Sequence, residues 1–271
     1  MDVEDFFHAH VFERVVPRST WDAQPHRVEA ATMTVLDLLA AHGVHGTFFT
    51  LGWVAERHPA LVRAIAAAGH ELASHTWWHS KITTLTPAAF RDELRTSKAI
   101  LEDTSGQRIL GFRAPSFSIR PGMEWAFDAL LEEGYRYDSS LFPIRRPDYG
   151  WPGAPVAWHP IHRPAGTLYE FPMATLSWLG ARVPAAGGGY LRHFPFAVIR
   201  GAFDACERGG TPGMFYIHPW DLDLDQPRLP LPLIGRVRHY GGLGRARPRL
   251  ERMLREFRFT SVARFLDGRI E

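Results

Sequence analysis

Two histidines with metal-ligand spacing carry the clearest potential for chemistry in this sequence. The stretch from Gly69 to His79 reads GHELASHTWWH, with His75 and His79 as the spaced pair. If the backbone turns helically there, residues i and i+4 share a face, so both imidazoles can point at one object. Neutral imidazoles are good zinc ligands, and catalytic zinc takes three protein ligands and keeps one position open. Because the chain has 14 histidines, the spacing alone also suits a surface turn with two unrelated histidines.

Other side chains capable of chemistry follow strand-like runs elsewhere in the chain. The sequence begins MDVEDFF, with Asp2, Glu4 and Asp5 as closely spaced carboxylates. Taken singly, such residues have ordinary explanations, such as a solvated acidic terminus, a surface ion pair, a helix cap or a core histidine. In an α/β barrel, however, the carboxyl ends of all strands meet on the face that carries the active site. The shared position therefore favours one functional site, whose further members are Arg113, Asp138 and His218.

Alternating helix-like and strand-like segments predict the scaffold for these residues. Apolar residues at helical spacing predict helices over 27–42, 53–68, 86–101, 121–133 and 194–207. Short apolar runs predict strands at 45–51, 71–73, 109–112, 135–137, 170–172 and 214–217. This alternation is typical of a parallel sheet or barrel. The Pro- and Trp-rich region from 142 to 189 predicts long loops that form walls of a binding cleft.

Composition places the chain among ordinary globular proteins. It has 271 residues, of which 45% are hydrophobic and 22% charged, which suits one or two domains. The net charge of +2 gives no reason to expect nucleic acid as a partner. Cys206 is the only cysteine, which excludes an intramolecular disulfide and a cysteine-based zinc site. We recognise no signal peptide and no apolar run long enough to span a membrane, so we expect a cytoplasmic protein.

The order of motifs resembles a known family. An acidic cluster, SHTWWH, FRAPSF, YDSS and FYIHPW follow one another between about residues 2 and 221, as in the polysaccharide deacetylases with the NodB-homology domain, carbohydrate esterase family 4. The DVEDFF start, the HPWD sequence and the basic C-terminal region look most like a bacterial subgroup encoded with exopolysaccharide synthesis and exosortase systems. The resemblance implies an α/β fold, a deformed (β/α)7 barrel over residues 1–221, with residues 222–271 as an extension packed on it. It also implies a divalent metal, usually Zn2+.

The same resemblance implies roles for single residues. His75 and His79 match the metal-binding histidines of the family. Asp2 matches the catalytic base, Arg113 the arginine that keeps the base ionised and oriented, and His218 the general acid.

The third metal ligand and the second acid are less directly matched. Strand alternation favours Glu4 as the ligand, whereas a turn directly after the strand would favour Asp5. Asp138 lies where the family often has an acid that assists the histidine, although the local sequence departs from the usual Asp-Trp form. The residues expected to bind substrate, because ring surfaces beside the ligands suit sugars, are Trp78, Pro115 and Trp220.

The implied activity is hydrolysis of N-acetyl groups on an amino-sugar polysaccharide, with metal-activated water as the nucleophile. Two alternatives remain. Relatives on the same fold hydrolyse cyclic amides, although the aromatic, Pro-rich region from Trp151 to Trp178 favours a glycan. The chain could also be a non-catalytic glycan-binding or scaffold protein of a polysaccharide assembly system, which a misplaced Asp2 would favour.

Overall fold

Seven strands form the central sheet in nearly the order in which they occur along the chain. The computed structural model describes residues 1–269. The strands are β1 Asp2–Val3, β2 Thr47–Thr50, β3 Glu71–Ser74, β4 Gly111–Phe112, β5 Tyr137–Asp138, β6 His159–Arg163 and β7 Gly166–Glu170. Their spatial order is β1-β2-β3-β4-β5-β7-β6, and neighbours are parallel except for the β6–β7 hairpin. A separate antiparallel hairpin consists of β8 Thr175–Trp178 and β9 Ala181–Pro184.

The segment 214–217 closes this sheet into a deformed barrel. Met214 pairs in parallel with Met173, a few residues beyond β7. On its other side, the backbone N–H of Asp2 donates to the carbonyl of Ile217 at 3.0 Å. The segment therefore occupies the place of a last barrel strand, but it pairs at one residue on each side and forms no regular ladder. The predicted α/β barrel is confirmed.

Ten helices surround the barrel within the described residues. Their bounds are α1 Val28–Ala41, α2 Gly52–Arg57, α3 Pro59–Ala67, α4 Pro87–Ser105, α5 Trp125–Glu132, α6 Gly188–His193, α7 Phe196–Arg208, α8 Leu233–Tyr240, α9 Leu243–Glu256 and α10 Val262–Leu266. The single helix predicted over 53–68 is divided, because Pro59 has no N–H and disfavours helical backbone at His58, which has φ −126° and ψ 56°. The hydroxyl of Thr86 accepts from the N–H of Ala89, which caps α4 as its sequence indicates.

The C-terminal helices share the apolar core of the barrel. Leu250 and Met253 of α9 are buried in the same cluster as Val35 of α1. At the start of α10, the N–H of Val262 donates to Thr47 Oγ1 at 2.9 Å. Within residues 1–269, none of the helices is long and apolar enough to cross a bilayer.

Candidate metal centre and active site

Three side chains of metal-ligand type converge at the carboxyl ends of β1 and β3. One donor atom from each of Glu4, His75 and His79 lies within 4.8 Å of the other two. His79 Nε2 lies 2.8 Å from Glu4 Oε2, and both side chains are buried. The histidines do not share a helical face as expected. Thr76 (φ 66°) and His79 (φ 54°) have left-handed backbone, so a tight loop returns His79 toward the strand end.

A glutamate from α4 holds this loop in place. Glu93 Oε2 accepts hydrogen bonds from the backbone N–H groups of Trp77 at 2.9 Å and Trp78 at 3.1 Å. Its other oxygen accepts from the hydroxyl of Ser80. Backbone strain persists only where the surrounding contacts fix it, and Glu93 supplies such contacts on the residues between the two histidines. Sequence reasoning missed Glu93, because a single glutamate on an amphipathic helix is usually solvated.

Asp5 is not a metal ligand in this geometry. Its Oδ1 accepts from the N–H of Phe6 at 2.9 Å, and its Oδ2 accepts from Arg27 N–H at 2.6 Å and Val28 N–H at 2.9 Å. Burial raises the pKa of Asp5 to about 6, against the effect of these amide donors. Asp5 therefore ties the strand end to the start of α1. Of the two alternatives for the third ligand, the structure brings only Glu4 to the histidines.

The chemistry of the three donors fits a divalent cation. The Nδ1–H of His75 donates to the carbonyl of Arg113 at 2.8 Å, which leaves Nε2 with a free lone pair. Burial lowers the pKa of His75 to about 4, so the ring is neutral near pH 7. Burial opposes ionisation of Glu4, but His79 and His218 outweigh it and hold the pKa of Glu4 far below its usual range. Two imidazoles and one carboxylate form a donor set that zinc takes in hydrolytic enzymes.

A buried ion pair holds Asp2 beside this centre. Arg113 Nη1 donates to Asp2 Oδ1 at 2.6 Å, and both side chains are buried. Arg113 also donates through Nε to the carbonyl of Ser139 at 3.0 Å and through Nη2 to Ser139 Oγ at 2.8 Å. Burial raises the pKa of Asp2, but the guanidinium and the nearby His75 lower it below its usual value. Asp2 is therefore an ionised carboxylate that can accept a proton.

The imidazole of His218 also lies against the centre. Its Nε2 lies 3.3 Å from Glu4 Oε1, and its Nδ1 lies 3.1 Å from Asp221 Oδ2. Burial lowers the pKa of His218, but Glu4 and Asp221 outweigh it and the net shift is upward. The imidazole can therefore carry a proton near neutral pH and donate it.

The carboxylate in contact with the Nδ1 side of His218 is Asp221, and the structure does not bring the predicted Asp138 to this imidazole. Asp138 Oδ1 accepts from Ser139 N–H at 2.8 Å and from Ser140 Oγ at 2.5 Å. Burial raises the pKa of Asp138 to about 6, and both burial and Asp138 raise that of the adjacent Glu170. The register pairs Asp138 with Glu170 across β5 and β7, away from His218. The HPWD sequence could have indicated this contact, because Asp221 follows His218 by three residues, within one helical turn.

Two of the three expected substrate residues offer little surface to a sugar. One ring face of Trp220 stacks on His218 with centroids 4.3 Å apart, and its ring also stacks with His239 at 4.6 Å. Its Nε1–H donates to Glu4 Oε1 at 3.2 Å, so Trp220 positions the site rather than forming a platform. Pro115 is buried. Trp78 remains partly exposed and has the guanidinium of Arg18 over its ring at 5.5 Å.

The fold and this geometry define a class: an α/β barrel with a two-histidine, one-carboxylate centre flanked by a carboxylate and an imidazole. Two family models match separate parts of the chain. Residues 15–130 match the model described as polysaccharide deacetylase, and residues 139–267 match one described as a domain of unknown function, DUF3473. The chain is thus similar to the first family over its N-terminal part and to the second over its C-terminal part.

Several curated proteins and solved structures are similar to the chain. A chitooligosaccharide deacetylase of Sinorhizobium fredii is 35% identical over 43% of this chain and 55% of its own length. The peptidoglycan-N-acetylglucosamine deacetylase PgdA of Listeria monocytogenes is 28% identical over 59% of this chain and 36% of its own length. This chain therefore spans only about a third to a half of such relatives.

Solved structures show the shared fold over a larger part of the chain. A presumed polysaccharide deacetylase from Mycobacterium smegmatis superposes with a TM-score of 0.68 at 20% identity, covering 99% of this chain and 87% of that chain. Puue allantoinase superposes with a TM-score of 0.58 at 22% identity, covering 86% of this chain and 70% of that chain.

Proposed function

We propose that this protein is a metal-dependent hydrolase that removes N-acetyl groups from an amino-sugar glycan of exopolysaccharide type. One observation carries the proposal: a carboxylate and an imidazole, Asp2 and His218, flank a centre made of Glu4, His75 and His79 at the barrel opening. The names of the similar deacetylases support an N-acetylated glycan as substrate. The exopolysaccharide class rests on the motif resemblance of the DVEDFF and HPWD sequences.

Glu4, His75 and His79 would hold the cation, for which Zn2+ suits the donor set best. When bound, a divalent cation would polarise the acetyl carbonyl and lower the pKa of water from about 15.7 toward roughly 7. Asp2 would accept the proton of the attacking water as the oxygen–carbon bond forms. The pair with Arg113 keeps Asp2 ionised for this task.

His218 would donate its Nε2 proton to the amide nitrogen as the carbon–nitrogen bond breaks, because an amine is a poor leaving group unless it is protonated. Water adds its oxygen and one hydrogen to the acyl carbon, and its other proton goes to Asp2. Return of that proton to His218, which has protonated the leaving nitrogen, restores both side chains and leaves acetic acid, which then ionises, and the free amino sugar. The location of Asp2 beside both Arg113 and the candidate metal centre favours this reading over a non-catalytic scaffold, which requires no carboxylate at that place.

Acetate release from N-acetylated chitooligosaccharide, with and without a metal chelator, tests the proposal. We expect release that stops on chelation and returns when Zn2+ is added back. Allantoin serves as the cyclic-amide comparison, because a structure of similar fold is an allantoinase. Turnover of allantoin alone, or of neither substrate by folded, metal-loaded protein, would contradict the deacetylase assignment.

A further inference from the structure

The imidazole of His218 contacts a buried ion pair on its Nδ1 side. Neither residue of this pair is among the proposed catalytic groups. Asp221 Oδ1 lies 3.1 Å from Arg192 Nε, while its Oδ2 contacts His218 Nδ1 at 3.1 Å. Arg192 and Asp221 are both fully buried, with exposed fractions of 1% and 0%. The approach is close because α6 starts with glycines: a Cβ on Gly188 would lie 1.9 Å from Asp221 Oδ2.

The terminal nitrogens of the Arg192 guanidinium donate hydrogen bonds to the carboxyl end of α8. Nη1 donates to the carbonyl of His239 at 2.5 Å and of Gly241 at 3.4 Å, and Nη2 donates to the carbonyl of Arg238 at 3.4 Å. Carbonyls in the last turn of a helix lack partners within the helix and carry partial negative charge. The planar guanidinium can therefore bridge this helix end and Asp221 at once, which a lysine ammonium cannot do.

A second connection runs from α8 to the same imidazole through stacked rings. Trp220 lies between His218 and His239, with interplanar angles of 12° and 28°. His239 Nε2 is 2.8 Å from Gln226 Oε1, and Gln226 Nε2 donates to the carbonyl of Trp220 at 2.8 Å. The ring plane and the Nδ1 side of His218 are thus both fixed by groups tied to α8.

We propose that Arg192 is a positioning residue for proton donation by His218, and that α6 and α8 form the support through which it acts. This gives a task to part of the region matched by the domain of unknown function, which spans residues 139–267. The inference rests on the proposed function, because it concerns the direction in which Nε2 of His218 points. Without Arg192, Asp221 would be a buried carboxylate paired only with His218, and it would reorient or take up a proton.

Substrates that differ in leaving group separate positioning from general damage. An N-acetyl amide needs its nitrogen protonated as it leaves, whereas 4-nitrophenyl acetate releases a phenolate that needs no acid. For Arg192→Met we expect the kcat for N-acetylated chitooligosaccharide to fall by roughly 100-fold or more, with little change in KM, while turnover of 4-nitrophenyl acetate changes by less than about threefold. Arg192→Lys should restore part of the amide activity.

A matched control comes from the same region. Arg249 donates through Nη1 to the carbonyls of Leu191 at 2.5 Å, Phe194 at 2.9 Å and Arg192 at 3.3 Å, so it also ties α9 to α6. It touches only the backbone of Arg192 and makes no contact with Asp221. Arg249→Met should lower stability without separating the two substrates. Equal losses on both substrates in folded Arg192→Met, or full amide activity, would overturn the inference. If Arg192→Met does not fold, Arg192→Lys carries the same comparison, with a smaller expected loss on the amide and none on 4-nitrophenyl acetate.

A structural measurement keeps this inference separate from the proposed function. Wild-type protein that releases no acetate from the amide refutes the proposed function. The crystal structure of the Arg192 variant still tests the support: we expect the His218 ring to move from its stack on Trp220. A ring that keeps its 4.3 Å stacking distance and its contact with Asp221 overturns the inference whatever the activity.

Discussion

Partners, rather than residue type, decide what each buried aspartate can do in this protein. Asp2 is paired with a guanidinium, which holds its pKa below the usual range against burial. Asp5 is surrounded by backbone N–H donors and serves as a structural anchor. Asp138 faces another carboxyl group, and burial raises its pKa to about 6. Of the three aspartates, only Asp2 combines a guanidinium partner and a lowered pKa with a place next to the candidate metal centre.

The acid pair of Asp138 and Glu170 makes a prediction for stability. Burial raises the pKa of Asp138 in the folded protein from its ordinary value of 3.8 to about 6, so the folded state binds more protons between these values. Stability from this group is therefore present at low pH and is lost as the pH rises through about 6. In Asp138→Asn, we expect the fall in unfolding free energy between about pH 4.5 and 7.5 to shrink by on the order of 1–3 kcal/mol.

Denaturant titrations at the two pH values measure this effect, with Asp92→Asn on the exposed side of α4 as control. We expect Asp138→Asn to keep most of its turnover, because Asp138 contacts neither Asp2 nor His218. A loss of roughly 100-fold or more, as for a missing proton-transfer group, would restore Asp138 as a catalytic residue.

Sequence reasoning located most of the site at this scale. His75, His79, Arg113 and Asp2 could be predicted because each lies at a strand end, where barrel strands converge. Which aspartate contacts His218, Asp138 or Asp221, could not be predicted. The answer depends on how the loop after residue 217 folds, and the sequence does not show this. The covered faces of Trp220 were equally hidden, since stacking with His239 joins residues far apart in the chain.

Among the elements, α4 does more than cover the sheet. It carries Glu93, which binds the backbone of the loop between the two histidines. Removing a group that orients metal ligands typically weakens metal affinity by about 10–100-fold. We therefore expect Glu93→Ala to lower Zn2+ affinity by that range, while Asp92→Ala on the same helix leaves it unchanged.

Competition with a chromophoric chelator measures these affinities. If Glu93→Ala binds Zn2+ with wild-type affinity, the left-handed residues of the loop keep their conformation without the Glu93 side chain, and the prediction is wrong. The helix itself was predictable from its Thr86–Pro87 start and apolar spacing. Its contact with the loop was not, because helical periodicity identifies the buried face but not what a polar residue at its edge will meet.

At the scale of the whole molecule, helices within residues 222–269 pack against the barrel and contribute to its core. α9 shares the apolar core, α10 binds β2, and the carbonyl end of α8 binds the buried Arg192. We propose that a boundary at residue 221 does not separate independently folding units. Thermal or denaturant unfolding should then show a single transition by both far-ultraviolet circular dichroism and tryptophan fluorescence.

Two separated transitions, or a stable folded fragment ending at residue 221, would contradict that expectation. The alternation of strands and helices made the barrel predictable, and the family resemblance implied that the extension packs on it, but neither indicated which helix faces of the extension enter the core. In the sequence its helices are basic and amphipathic, and only the folded chain shows that their apolar faces pack on the barrel core.

Metal content measured together with turnover tests the central claim most directly. We expect about one divalent ion per chain in wild-type protein and in Asp2→Asn, and almost none in His75→Ala or His79→Ala. Acetate release from chitooligosaccharide should occur only in the wild type, because Asp2→Asn keeps the ion but lacks the proton acceptor. Full metal occupancy in both histidine variants, or normal acetate release by Asp2→Asn, would contradict the account.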